Sequence, residues 1–137
     1  MSSAFLIEKQ LRLNTLRDLV INGHTKPEPW RRQQLSRIEL LLETHENEII
    51  QALIADLGKP KTEAMIEIIA LRQELKLAHS KLKSWIKDRP IKVPLSLKPG
   101  EAFTRLEPLG CVLIIGPWNY PFSLTIQPLI SAFAAGN

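Results

Sequence analysis

The chain carries a single cysteine, Cys111, so no intrachain disulfide framework can form and a reducing compartment is expected. It has no Gly-x-Gly-x-x-Gly run and no Walker pattern, which removes the commonest local signatures of phosphate cradling. Its histidines, His24, His45 and His79, share no helical face and stand in no Glu-x-x-His pair, so no metal site is expected. Aromatic residues are sparse, and only Trp85 lies near the densest basic patch, Lys81, Lys83, Lys87, Arg89 and Lys92. A nucleic-acid groove needs stacking partners among its cations, so this patch reads as a solvated helix face and no nucleic-acid partner is expected. The start, Met1 to Ile7, has no basic leader and meets Glu8 and Lys9 too early for a secretory apolar region. A cytoplasmic location is the expectation.

Charge is also missing from one long stretch, since no charged side chain occurs between Pro108 and Asn137. About 20 apolar residues can span a bilayer. Here Pro117, Pro121 and Pro128, with Asn119, Tyr120 and Gln127 between them, interrupt every candidate span. Lipid would leave the freed backbone groups unpaired, whereas a protein interior can supply partners, which weighs against a membrane tail.

What is present fits one ordinary domain: 137 residues, 45 % apolar and 23 % charged, as in folded soluble chains. From Ser3 to Asn22 the residues Ile7, Leu11, Leu16, Leu19 and Val20 recur at helical spacing and predict an amphipathic helix ended by Asn22 and Gly23. After a Pro27-Glu28-Pro29 loop, Trp30 opens a second predicted helix with Leu35, Ile38, Leu41 and Leu42 inward. A third runs from about Asn47, burying Ile49, Ile50, Leu53, Ile54 and Leu57, with Gly58 as its terminating residue. Thr62 is the expected N-cap of a long fourth helix, whose stripe Leu71, Leu75, Ala78, Leu82, Trp85 and Ile86 keeps its period until Pro90 forbids continuation. In its first turns Glu63 and Glu67 read as solvated carboxylates.

Between Ile91 and Leu97 the apolar period switches to two, which predicts a strand, placed at an edge by Pro94. Pro99 and Gly100 suit a type II turn, with Ala102 to Glu107 returning as the hairpin partner. The run Cys111-Val112-Leu113-Ile114-Ile115 does not alternate, and strands buried on both faces usually belong to a parallel sheet flanked by helices. There Cys111 reads as a small buried apolar thiol. A helix from about Pro121 to Ala135 is expected to cover that strand with Phe122, Leu129, Ile130 and Phe133, and to kink at Pro128. Strand and helix offer ten large apolar side chains, each worth about 1.5 to 3 kcal/mol when buried. Losing half of that burial forfeits on the order of 10 kcal/mol, comparable with a whole domain's stability. The chain is therefore expected to be an incomplete piece of something larger.

Between the strand and the helix lies Gly116-Pro117-Trp118-Asn119-Tyr120-Pro121-Phe122, a stiff bend with one carboxamide. Asn119 can serve as an N-cap, and a carboxamide at such a corner can also donate hydrogen bonds to a reacting oxygen.

The run from Glu107 through Phe122, with Gln127-Pro128 and the closing Ala134-Ala135-Gly136-Asn137, resembles the aldehyde dehydrogenase superfamily. The upstream Asp56-Leu57-Gly58-Lys59-Pro60, with Glu63, Ala64, Glu67 and Ile68, is similar to the class 3 or fatty aldehyde branch. The resemblance implies an α/β chain made of N-terminal helices (1–89), a β-hairpin that joins the oligomerisation sheet in relatives (90–107), and the truncated first βα unit of a Rossmann-like cofactor domain (108–137). It implies oxidation of medium or long aliphatic aldehydes to carboxylic acids with NAD or NADP, in a homodimer. By the same resemblance Asn119 stabilises the oxyanion, and Ile115, Gly116, Pro117 and Trp118 line the cofactor cleft. The nucleophilic cysteine and the general-base glutamate of relatives match nothing in this chain; Cys111 is not that cysteine, so the chain by itself is expected to be inactive. The competing reading is a noncatalytic helical interaction module whose apolar tail docks on a partner or a membrane.

Overall fold

The computed structural model describes the backbone of residues 3–137 and the side chains of residues 7–137. Met1 and Ser2, where the leader reading begins, lie outside the described residues. Helix α1 spans Ser3–Ile21 but is not amphipathic: Ile7, Leu11 and Leu16 are 58 %, 62 % and 53 % exposed. At about 100° per residue, Leu16 falls on the side of the helix opposite Ile7, so the apolar positions never gather into one stripe.

Helix α2, Glu28–Thr44, begins two residues before Trp30 because Pro29 occupies its first turn and Pro27 flanks it. Proline is tolerated there, since its preset φ is helical and the missing N–H would have had no partner. Helix α3, Glu46–Leu57, ends at Gly58, whose N–H bonds Ile54 C=O at 2.9 Å. Helix α4, Lys61–Trp85, is flanked by Pro60 and has no side-chain cap, so Thr62 is not the N-cap the sequence predicts. The last helix, α5, spans Ser123–Ala135 and continues through Pro128.

The hairpin forms, but shorter than its alternation suggests. Strand β1, Arg89–Ile91, pairs antiparallel with β2, Ala102–Thr104, in the register Arg89 with Thr104 and Ile91 with Ala102. Leu95–Leu97 is a single 3₁₀ turn with Leu95 88 % exposed, because Pro94 has no N–H with which to extend the ladder. The turn is not type II: Gly100 is outside the left-handed region, and its N–H bonds Leu97 C=O at 2.8 Å. Glycine is needed there for space, since a Cβ would lie 2.7 Å from that oxygen.

Residues 111–115 form no regular secondary structure, with Leu113 85 % and Ile115 83 % exposed, and Cys111 is exposed rather than buried. Continuous apolar character suits the middle of a sheet, yet among the described residues no strand lies beside this segment to accept its backbone groups. The architecture is thus α/β and mostly helical, with one two-stranded sheet.

Helix α4 is the central element and packs against α2, α3 and α5. Leu35, Ile38 and Leu42 of α2 meet Leu71, Leu75, Ala78 and Leu82 of α4 and Ile130 and Ala134 of α5. A second cluster joins Ile50 and Leu53 of α3 to Ala64 and Ile68 of α4, with Ile49 and Phe122 touching both clusters. The stripes run narrower than predicted, since Leu41, Leu57 and Trp85 are more than a third exposed. Among the described residues no helix is long and apolar enough to cross a membrane.

Candidate functional site

The bend at 116–122 is fixed by contacts on three sides. At its start Gly116 packs so closely on α5 that a Cβ would sit 2.0 Å from Thr125 Oγ1. That hydroxyl donates to Pro121 C=O at 2.6 Å, which closes the bend onto the first turn of the helix it precedes. At its end the Ser123 N–H donates to Glu67 Oε2 at 2.9 Å. The other carboxylate oxygen of Glu67 accepts from Lys59 Nζ at 2.6 Å, and that ammonium lies 3.9 Å from the centre of the Tyr120 ring.

Glu67 is therefore no solvated carboxylate; its side chain is fully buried and that of Lys59 is only 10 % exposed. Removing one partner of such a pair costs about 3 to 5 kcal/mol, because the other charge is left buried alone. Glu67 also replaces the cap that Asn119 was expected to provide. Phe122 stands at the N-cap of α5 without a side-chain bond, and the first turn holds no acidic residue. A carboxylate borrowed from α4 satisfies an otherwise orphaned amide and sits at the positive end of the helix dipole. The sequence contained the signal: the α4 stripe carried back four residues from Leu71 lands on Glu67, beside Ala64 and Ile68.

The opposite end of α5 is held by a buried cation. Arg31 Nη1 donates to Ala134 C=O at 3.0 Å, its Nε reaches Thr25 C=O at 3.3 Å, and Thr25 Oγ1 donates to Gly136 C=O. Burial pulls the Arg31 guanidinium below its ordinary pKa, and the charge of Glu107 partly opposes that. Gly136 turns the chain at φ 86°, which a side chain would resist, and Asn137 Oδ1 then accepts the Gly110 N–H at 2.9 Å. The irregular segment before α5 is thereby pinned near Gly110 by one end of α5 and at Tyr120 to Ser123 by the other.

The predicted site residues lie together along this pinned segment. Ile115 and Trp118 are 83 % and 88 % exposed, Pro117 and Asn119 are exposed, and Gly116 is half-buried. Among the described residues no hydrogen bond engages the backbone of Ile115 to Trp118 or the side chain of Asn119. Trp118, Pro121 and Phe122 form one wall of an apolar groove of about 590 Å³, and Ile49, Leu53 and Leu57 of α3 form the other.

The Aldehyde dehydrogenase family profile matches residues 24–137. The chain is 44 % identical over 117 residues to aldehyde dehydrogenase family 3 member H1 of Arabidopsis thaliana, covering 85 % of this chain and 24 % of that protein. It is 40 % identical over 117 residues to the dimeric, NADP-preferring aldehyde dehydrogenase of Canis lupus familiaris, covering 85 % of this chain and 26 % of that protein. A solved structure, the substrate-bound state of Staphylococcus aureus AldH, superposes with a TM-score of 0.82 at 37 % identity, covering 96 % of this chain and 28 % of that one. The chain spans about a quarter of the length of the relatives it matches.

Proposed function

Because the chain belongs to the class 3 branch of the aldehyde dehydrogenase family, we propose that it supplies the oxyanion donor and part of the cofactor cleft of an aldehyde-oxidising enzyme. The observation that carries this reading is a carboxamide that is exposed and uncommitted, just before backbone held by hydrogen bonds at Pro121 and Ser123 and just after the close packing of Gly116 on Thr125. A donor held in place before charge develops costs no reorganisation when the charge appears. When a thiolate adds to an aldehyde, the carbonyl oxygen becomes an anion, and the Asn119 side-chain N–H groups can donate to it. The thiolate is not assigned to Cys111, which lies exposed on the unpaired segment before the bend.

The bound nicotinamide cofactor, NAD or NADP, would accept the hydride. The donor set fits such a group, since the uncommitted backbone groups of Ile115, Gly116, Pro117 and Trp118 can bond its hydroxyls and amide. We extend the reading to medium or long aliphatic aldehydes and to a homodimer, supported by class membership and, for the dimer, by the relative named dimeric.

The test is Asn119→Ala in a full-length aldehyde dehydrogenase carrying these residues. The expected loss in kcat is about 10²- to 10³-fold, with cofactor affinity unchanged. Full turnover at saturating aldehyde would refute the oxyanion role.

A further inference from the structure

Glu67 lies on α4, 56 residues before its hydrogen-bond partner Ser123, and belongs to no part of the reacting constellation. Its position is costly: it occupies a place on the apolar face beside Ala64 and Ile68, where a hydrophobic side chain of similar size would pack without a desolvation cost. Buried ion pairs of this kind contribute little to stability compared with such a replacement, so the pair calls for another explanation. What Glu67 has that a leucine or methionine lacks is two acceptors aimed at two points of the bend. Oε2 holds the Ser123 N–H at 2.9 Å, and Oε1 holds Lys59 Nζ, which lies 3.9 Å from the Tyr120 ring centre. Asn119 immediately precedes the residue that Lys59 covers. Its backbone direction is set between that contact and the Gly116–Thr125 contact on the other side.

We propose that Glu67, acting with Lys59, is the positioning residue that aims Asn119. Glu67 touches no reacting atom, and its effect on turnover passes entirely through the orientation of the bend. This inference rests on the oxyanion reading for its kinetic consequence but not for its structural one.

The experiment uses the full-length enzyme carrying these residues, with Glu67→Met, Glu67→Gln and Asn119→Ala made singly, and Glu67→Met combined with Lys59→Met or with Asn119→Ala. Hydrogen–deuterium exchange over residues 118–124 reads the bend directly. Glu67→Met is expected to speed exchange there at least about tenfold, as a lost protecting hydrogen bond does, and to lower the melting temperature because Lys59 is left buried alone. Glu67→Met with Lys59→Met, which replaces the whole pair, is expected to show the same fast exchange while the melting temperature holds or rises. Glu67→Gln retains an acceptor for Ser123 and is expected to keep most of the protection. In kinetics, Glu67→Met is expected to lower kcat about 10- to 100-fold with KM for the cofactor unchanged, a loss of the size that misplacement by about 1 Å produces. It should lower kcat no further when Asn119 is already alanine.

Unchanged exchange at 118–124 in Glu67→Met overturns the proposal, whatever the kinetics show. A loss in kcat that adds fully to that of Asn119→Ala overturns the claim that Glu67 acts through Asn119. If Asn119→Ala alone leaves turnover intact, the oxyanion reading fails, and the exchange measurement still decides whether Glu67 fixes the bend. Should the paired Glu67→Met and Lys59→Met substitution lower the melting temperature as far as it lowers protection, the role is general stability and the proposal is wrong.

Discussion

At the scale of single residues, Gly116 shows why a glycine can matter without an unusual backbone angle. Its φ is not left-handed, so any residue could adopt its conformation. What excludes a side chain is the Thr125 hydroxyl, 2.0 Å from where a Cβ would stand. Gly116→Ala must displace the Thr125 hydroxyl, breaking its bond to Pro121 C=O or shifting α5, and overpacking of this kind typically costs about 1 to 3 kcal/mol. Thr125→Ala removes the hydroxyl and leaves only contacts at 3.3 and 3.4 Å, to the residue 125 Cβ and to Pro121 C=O, which small shifts relieve. In urea unfolding, the double substitution should therefore recover most of the midpoint lost by Gly116→Ala. Strictly additive losses would show that the clash is not what constrains position 116. Asn119 was legible in the sequence as an isolated carboxamide between two prolines, but the capping role the sequence offered it is not taken up, because the cap of α5 comes from Glu67, far away along the chain. No local pattern displays a partner at that separation.

At the scale of elements, α5 has no charge of its own and is held between two buried charges from other helices, the Glu67 carboxylate at its N-terminus and the Arg31 guanidinium at its C-terminus. Each sign is the one the helix dipole favours. Helices α2 to α5 were legible because their stripes repeat at helical spacing, and their ends shifted wherever proline was tolerated in or before the first turn instead of breaking the chain. The hairpin was legible as a hairpin but not in its length, which Pro94 limits. Its open end is closed by Arg105, whose Nε and Nη2 donate to the two Asp88 oxygens at 2.7 and 2.6 Å. The Arg105 hydrogen bonds hold the Asp88 carboxyl below its ordinary range, and Asp88 in turn raises Arg105. A carboxyl whose folded pKa is depressed contributes stability that is complete above its unfolded value of about 3.9 and is lost as pH falls through the lower folded value. Glu107, depressed by its bond from Lys26, follows the same sign. The amide signals of Ala102–Thr104 should accordingly move toward unpaired shifts as pH drops below about 4, and Asp88→Asn should show that state already at neutral pH. Signals that stay flat through acid in the unsubstituted chain would assign the register to the backbone ladder alone.

At the scale of the whole molecule, two regions of similar apolar character have opposite fates. The stripes of α2, α4 and α5 close on one another, while the run from Cys111 to Ile115 lies outside that core. Composition cannot separate these cases, because a continuous apolar strand looks the same whether or not neighbours exist to pair with it. The helices could be read one at a time, since their backbone bonds are internal, but a strand is completed only by another strand. This difference predicts where the chain tolerates polar substitution. In the 137-residue chain, Leu113→Ser with Ile115→Ser should cut the binding of an apolar-surface dye and leave the stability of the helical core within about 0.5 kcal/mol, as is usual for exposed positions outside the packing. In a full-length family member carrying these residues, the same pair should lower the yield of folded protein if the segment there lies inside a sheet, since buried serine hydroxyls without partners are costly. Equal tolerance in both settings would show that the exposed run is an ordinary surface segment and would remove the physical basis for placing a cofactor sheet beside it.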